Sequence, residues 1–390
     1  MSTTTLWQVD DYDSRESGLE EAAALLRTGG TVAFPTETVY GLGADARSTA
    51  AVERIFAAKG RPADNPLIVH IAELSQLDEL VPPPGPLAKR LMERFWPGPL
   101  TLVLPVIPGA VSPRVTAGLA TVAVRMPAHP VALALIAAAG CPVAAPSANR
   151  SGRPSPTLAS HVLADLGGRI DGIVDGGAAG VGLESTVVEI DGDTVRILRP
   201  GGVTAEALRE IGAHVAYDAA AAPGSRGGAA PLAPSAAAAL PQPAGSGRPP
   251  GTIEPAGGGE AHAATAAAPR SPGMKYAHYA PQGLMQLVKG EASAVAAYIQ
   301  AAVRTAQSQG ERTGVLAFAE HAAAYDADHV LVVGSLAQLE TAAHGLYAAL
   351  RAFDERGVQR IWAEACPEEG IGHALMNRLV KAAGHQIVSI

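Results

Sequence analysis

Apolar positions recur along this chain in two alternating rhythms. Helical spacing over Leu19–Arg27 stops at Gly29 and Gly30, and a short apolar run at residues 31–34 follows at once. Runs rich in Val, Ile and Leu predict further strands at residues 67–71, 101–106, 121–125, 143–145, 172–174, 186–190 and 195–199. Between them, helical patterns occupy residues 50–58, 86–95, 130–139, 157–166 and 205–211. This alternation predicts an α/β domain built on one curved, mixed sheet flanked by helices. From Asp218 to about Arg270 the residues are mostly Ala, Gly, Pro and Ser, with no aromatic side chain between Tyr217 and Tyr276. Such a stretch buries too little apolar surface to offset the entropy of ordering it, and disorder is expected. The pattern then resumes with strands at 284–288, 314–319, 330–333 and 358–363, a last strand at the end, and helices at 292–307, 336–351 and 372–383. These describe a smaller C-terminal α/β unit of Rossmann-like type. The expected organisation is therefore a domain over residues 1–217, a flexible linker over 218–283 and a second domain over 284–390.

Length and composition agree with two cores. The 390 residues exceed the usual single-domain size. Hydrophobic residues make up 48% but aromatics only 4%, so the cores are expected to be packed with small aliphatic side chains. A net charge of −8 excludes coating nucleic acid by bulk electrostatics and leaves room only for a weak, local RNA contact. Cys141 and Cys366 are far apart, which argues for neither a disulfide framework nor a zinc site and fits a reducing cytoplasm. Residues 1–16 are polar and acidic, unlike a secretory signal, and the most apolar run, 131–146, is too short and too broken by Gly140 and Pro142 to span a membrane.

Four segments carry candidate chemistry. In residues 59–66, Lys59 and Arg61 sit two apart in a stretch that Gly60, Pro62 and Pro66 keep irregular, between a helix and a strand. That arrangement suits a polyphosphate, although a solvated basic turn has the same composition. Residues 35–43 read as a hydroxyl-rich, glycine-terminated turn after a strand. Residues 146–155 supply hydroxyls, an amide and two guanidinium groups with no large apolar side chain, and cannot be core. Residues 182–188 enter a strand, and 197–202 leave one. Arg125 ends an otherwise apolar strand, so its charge must meet an anion or water. Taken alone, His70 reads as a hydrogen-bonded core histidine, Thr38 and Ser185 as turn caps or ligand contacts, Ser155 as a loop hydroxyl and Arg199 as a strand-end ion pair. Glu184 has the chemistry of an acid or base but no identifiable partner. Residues 41–46 match G-x-G-x-x-A, yet residues 35–40 separate the first glycine from its strand, which a dinucleotide site does not allow. No phosphate-binding G-x-x-x-x-G-K-[ST] motif and no G-x-S-x-G elbow occurs.

In this order, the four segments resemble the YrdC-like family of L-threonylcarbamoyl-AMP synthases over about residues 19–215, and residues 271–281 resemble the linker of its two-domain version. The resemblance implies a YrdC-like fold and a nucleotidyltransferase that joins bicarbonate to the amine of L-threonine and transfers AMP from ATP, with release of pyrophosphate. Mg2+ would arrive with ATP, with no protein metal ligands. The resemblance gives Lys59 and Arg61 to the phosphates, together with Asn65, Thr121, Ser147, Asn149, Ser155 and Arg199 on the nucleotide. It gives Thr38, His70, Arg125, Ser185 and the main chain of Ala145 to threonine, and makes Tyr276, His278 and Tyr279 a lid that excludes water from a hydrolysable intermediate. The product would serve threonylcarbamoyladenosine modification of tRNA, through a downstream tRNA threonylcarbamoyl transferase complex. Two other readings remain at this point: a double-stranded RNA-binding module, and another carbamoyl-adenylate enzyme related to hydrogenase maturation factors.

Overall fold

The computed structural model describes residues 3–9, 18–62, 64–223 and 279–390. The first unit runs β1 (Thr5–Gln8), α1 (Leu19–Arg27), β2 (Val32–Phe34), β3 (Gly41–Asp45), α2 (Thr49–Lys59), β4 (Ile68–His70), α3 (Ser75–Asp78), α4 (Pro86–Phe95) and β5 (Leu100–Pro105). It continues with α5 (Pro113–Thr116), β6 (Thr121–Arg125), α6 (Pro130–Ala139), β7 (Val143–Ala144), α7 (Ala159–Leu166), β8 (Gly172–Asp175), β9 (Thr186–Asp191), β10 (Thr194–Arg199), α8 (Ala205–Glu210) and β11 (His214–Tyr217). Its strands form one sheet in the order β1-β8-β2-β3-β7-β4-β6-β5-β9-β10-β11, with parallel and antiparallel neighbours. The second unit is β12 (Leu284–Lys289), α9 (Ala292–Ser308), β13 (Thr313–Phe318), β14 (His329–Gly334), α10 (Leu339–Glu355), β15 (Arg360–Glu364), α11 (Ile371–Ala382) and β16 (Ile387–Ser389). Its strands pair in parallel in the order β14-β13-β15-β12-β16. A mixed α/β domain with a second, parallel-sheet unit is thus the architecture.

Local chemistry sets the elements that matter for the site. At α2 the Ser48 hydroxyl caps the start by accepting from the Ala51 amide at 3.3 Å, and Gly60 ends the helix in the left-handed region at φ 62°. That sharp stop fixes where the Lys59 side chain leaves the helix. The two units are not independent: Val39 and Leu183 of the first share a buried cluster with Leu346, Tyr347 and Leu379 of the second.

Several elements differ from the sequence expectation. Residues 41–43, expected to end a turn, begin β3, which pairs antiparallel with β2. Glycine is needed inside that strand because a Cβ at Gly43 would meet Val143 at 2.7 Å and Phe34 at 2.8 Å. The polar start of the chain contains β1, paired in parallel with β8. Short α3 and α5 carry too little periodicity to be seen in advance. Helix α10 begins at Leu339 rather than 336, since the Glu320 carboxylate accepts from the amides of Leu336 and Ala337 and draws them out of helical register. The stretch expected to be disordered lies, apart from its first residues, outside the described residues, as do Tyr276 and His278.

Candidate active site

Strand pairing brings the candidate residues together. In register, β4 sets His70 beside Arg125 at the end of β6, while Val69 pairs with Ala144 of β7. The Ala145 amide then donates to the Ile68 carbonyl at 2.9 Å, which aims the polar segment 146–155 back over the strand ends. Across the sheet, Ser185 precedes β9 and Arg199 ends β10, its guanidinium donating to the Ser185 carbonyl at 2.9 Å. These groups line one cleft, open to solvent at its mouth. Arg61, Ser147, Asn149 and Arg199 of the expected nucleotide residues face it, with Thr38, His70, Arg125, Ala145 and Ser185 of the expected threonine residues. From the expected lid, Tyr279 also lines it.

Arg125 is the most tightly built cation of the cleft. Only 3% exposed, it donates through Nη1 to Thr38 Oγ1 at 2.8 Å and through Nε to the Gly98 carbonyl at 3.1 Å. Its Nη2 lies 2.5 Å from Glu37 Oε1, in ion contact. The expected anion beside Arg125 is therefore supplied in part by the protein itself. Thr36 Oγ1 and Thr38 Oγ1 share a hydrogen bond at 2.8 Å, which fixes the Thr38 rotamer. Burial, and then the Arg125 charge, push the His70 pKa down to about 3, so its ring is a neutral donor or acceptor. Ser185 Oγ is tied to Thr101 Oγ1 at 2.8 Å and accepts from Arg199 at 3.2 Å.

On the other side, the polar loop is organised by Lys59. The ammonium is 4% exposed and donates to the Ser147 and Asn149 carbonyls, the latter at 2.5 Å. Burial, with Arg61 adding to it, holds its pKa well below the usual lysine value. This corrects the expectation of two cations displayed by an irregular loop: Lys59 is the last residue of α2 and faces loop carbonyls, whereas Arg61 faces the cleft. Ser147 donates to Asn149 Oδ1 at 2.6 Å, and Asn149 Nδ2 donates to the Arg150 and Arg153 carbonyls.

Besides Lys59, three expected nucleotide residues do not line the cleft. Asn65 is buried, with its carbonyl near Arg61 Nη2 at 3.4 Å. Ser155 is fully buried and donates to Glu184 Oε1 at 2.6 Å. Thr121 pairs with Pro105 at the far end of β6, about 13 Å along the strand from Arg125. Sequence reasoning in turn assigned no role to Glu37, and none to Arg153, which lines the cleft and pairs with Asp165 at 2.6 Å. Both lie in segments already singled out as polar, but nothing local reveals a partner that is distant along the chain. Glu184 does find partners: beside Ser155, they are Tyr347 and Arg378 of the second unit.

Residues 24–201 match the protein family described as "Telomere recombination", and residues 238–384 the family "Threonylcarbamoyl-AMP synthase, C-terminal domain". The threonylcarbamoyl-AMP synthase of Bacillus subtilis is 48% identical over 99% of this chain and 99% of its own. That of Pyrococcus abyssi is 43% identical over 95% of each. The crystal structure of P. abyssi Sua5 complexed with L-threonine superposes with a TM-score of 0.83 at 40% identity, covering 99% of this chain and all of that one.

Proposed function

The chain belongs to the two-domain family of threonylcarbamoyl-AMP synthases and is an enzyme that makes threonylcarbamoyl-AMP; on that premise we propose that it works as a nucleotidyltransferase on ATP, L-threonine and bicarbonate. The threonine amine, having lost a proton, adds to the carbon of bicarbonate, and water leaves to give a carbamate. A carbamate oxygen then attacks the α-phosphorus of ATP, the bond to the β-phosphate oxygen breaks, and pyrophosphate departs. Catalysis of this kind is positioning and charge neutralisation. Arg125 and Thr38 hold the substrate carboxylate, with Ser185, neutral His70 and the main chain of Ala145 completing the amino-acid side. Arg61, Ser147, Asn149 and Arg199 hold the nucleotide, while Lys59 positions the loop from behind. Asn65, Ser155 and Thr121 act on the nucleotide only if the cleft rearranges around it. Mg2+ would arrive on the triphosphate, whose phosphate oxygens it bridges.

One observation carries this reading: two families of polar groups, one suited to an α-amino acid and one to a polyphosphate, converge on a single cleft. Residues 1–217 form the catalytic domain, 218–283 the linker with its lid at 271–281, and 284–390 the second domain. The product passes to tRNA modification in the cytoplasm; no helix among the described residues is long and apolar enough to cross a membrane. The test is omission: pyrophosphate release by the pure protein must require ATP, bicarbonate and L-threonine together. Release that persists without threonine refutes the reading.

A further inference from the structure

Resting on that function, we infer that Arg378 and Tyr347 of the second domain are positioning residues of the reaction, holding one wall of the cleft through Glu184. Glu184 lines the cleft, 7% exposed, and immediately precedes Ser185. Its Oε1 accepts from Ser155 Oγ at 2.6 Å and from the Tyr347 hydroxyl at 3.0 Å. Its Oε2 accepts from Arg378 Nε at 2.8 Å and from the same hydroxyl at 2.9 Å. A charge buried by one domain is thus neutralised by the other. Removing that neutralisation would force the carboxylate either to find water or to take up a proton.

Movement of Glu184 cannot stay local. The Ser185 carbonyl, one residue on, receives two donors from Arg199, at 3.2 and 2.9 Å. The Glu184 carbonyl presses so closely on Gly201 that a Cβ there would lie 2.2 Å from it, so the segment has no slack on that side. The same two residues of the second domain also back Tyr279, which lines the cleft: its ring lies 5.3 Å from the Tyr347 ring, and the Arg378 guanidinium sits 5.5 Å from its centre. Two separate linings of the cleft therefore rest on one Arg-Tyr pair. A contact between the domains that lies off the cleft serves as the comparison: His344 Nδ1 bonds the Gly180 carbonyl at 2.9 Å, and Gly180 does not line the cleft.

Electrostatics give the positioning role a signature. Burial alone would raise the Glu184 pKa, yet the charges of Arg378 and Arg199 with the bonds from Ser155 and Arg378 overcome it and hold it at about 2. The other ionisable groups facing this carboxylate are Tyr279, Tyr347 and, from α11, Lys381. Without the Arg378 charge the burial effect gains on the remaining attractions, and Glu184 protonates closer to neutrality.

The experiment uses the full chain with Tyr347→Phe, Arg378→Gln, Glu184→Gln, the Glu184→Gln/Arg378→Gln double variant and His344→Ala. For each, kcat and KM for ATP and threonine, the melting temperature and the pH profile are measured. Tyr347→Phe, which removes one hydroxyl, is expected to fold and to lose at least tenfold in kcat/KM for ATP. Arg378→Gln should add an acid limb below neutrality that the double variant lacks. His344→Ala should keep kcat/KM within twofold whatever its melting temperature. Wild-type rates in Tyr347→Phe, or losses across the set that follow melting temperature alone, overturn the inference. If Arg378→Gln does not fold, Tyr347→Phe decides. A wild-type protein that makes no threonylcarbamoyl-AMP would instead refute the function on which the inference rests.

Discussion

Replacing Arg125 by alanine should separate substrate recognition from folding. In the structure the guanidinium is bonded to Thr38 and Gly98 and in ion contact with Glu37, all from inside the cleft wall. A charge-assisted bond to a substrate carboxylate contributes about 1.5–3 kcal/mol, so kcat/KM for threonine should fall by roughly 10- to 150-fold. The ATP requirement should change little, since the nucleotide side of the cleft keeps its cations. Stability is also affected, because Arg125→Ala strands the Glu37 carboxylate, whose side chain is 15% exposed. Breaking a buried pair on one side costs about 3–5 kcal/mol, and the residual exposure of Glu37 places the expectation at the lower end. For a unit of this size that is a fall of roughly 6–12 °C in melting temperature. Glu37→Gln/Arg125→Ala should recover most of that loss without recovering threonine affinity. The assays are initial rates of pyrophosphate release against each substrate, with melting curves alongside. Equal effects on ATP and threonine, or a double variant that regains threonine affinity with its stability, would refute the assignment of Arg125.

Lys59 and Arg61, two residues apart, should respond differently. Lys59→Ala leaves the buried Asn149 carbonyl without its donor, at about 1–3 kcal/mol, and the part-buried Ser147 carbonyl with it, and should lower both melting temperature and activity, whereas Arg61→Ala should lose ATP-dependent turnover with little change in melting; identical profiles would contradict the separate roles. His70, neutral when folded and with a pKa of about 3 against an ordinary histidine value of 6.5, should make stability depend on acid. Between those values the unfolded chain binds the extra proton, so stability is full above pH 6.5 and falls with pH toward 3, by about 2 kcal/mol at pH 5. Because His161 shifts in the same direction, the His70 share is the difference between wild type and His70→Asn in melting temperature against pH; superimposable profiles would contradict it.

Most helices and strands were legible because apolar periodicity is a local signal. Leu19–Arg27, Pro86–Phe95, Thr121–Arg125 and Pro130–Ala139 fall where the pattern and its Pro or Gly punctuation place them. The failures have physical causes. Strand β3 was hidden by the glycines its close packing requires, and the start of α10 by a carboxylate from a different loop. Within the cleft, polar segments could be found from composition, but the partner of each charge could not. Glu37 beside Arg125, Lys59 beneath its loop and Glu184 bound by the second domain all pair across tens to hundreds of residues. Burial of Lys59 was invisible for the same reason: a lysine at a helix end reads as exposed until another segment folds over it.

The central claim is that one cleft joins bicarbonate carbon to threonine and then to AMP. Its most direct test is to supply ATP, L-threonine and 13C-bicarbonate to the full-length protein, and to measure by mass spectrometry the AMP-linked product together with released pyrophosphate. The account predicts threonylcarbamoyl-AMP heavier by one mass unit, in equal amount to pyrophosphate and absent when threonine is withheld. Pyrophosphate formed without labelled product, or an AMP-linked product that carries no 13C, would contradict it.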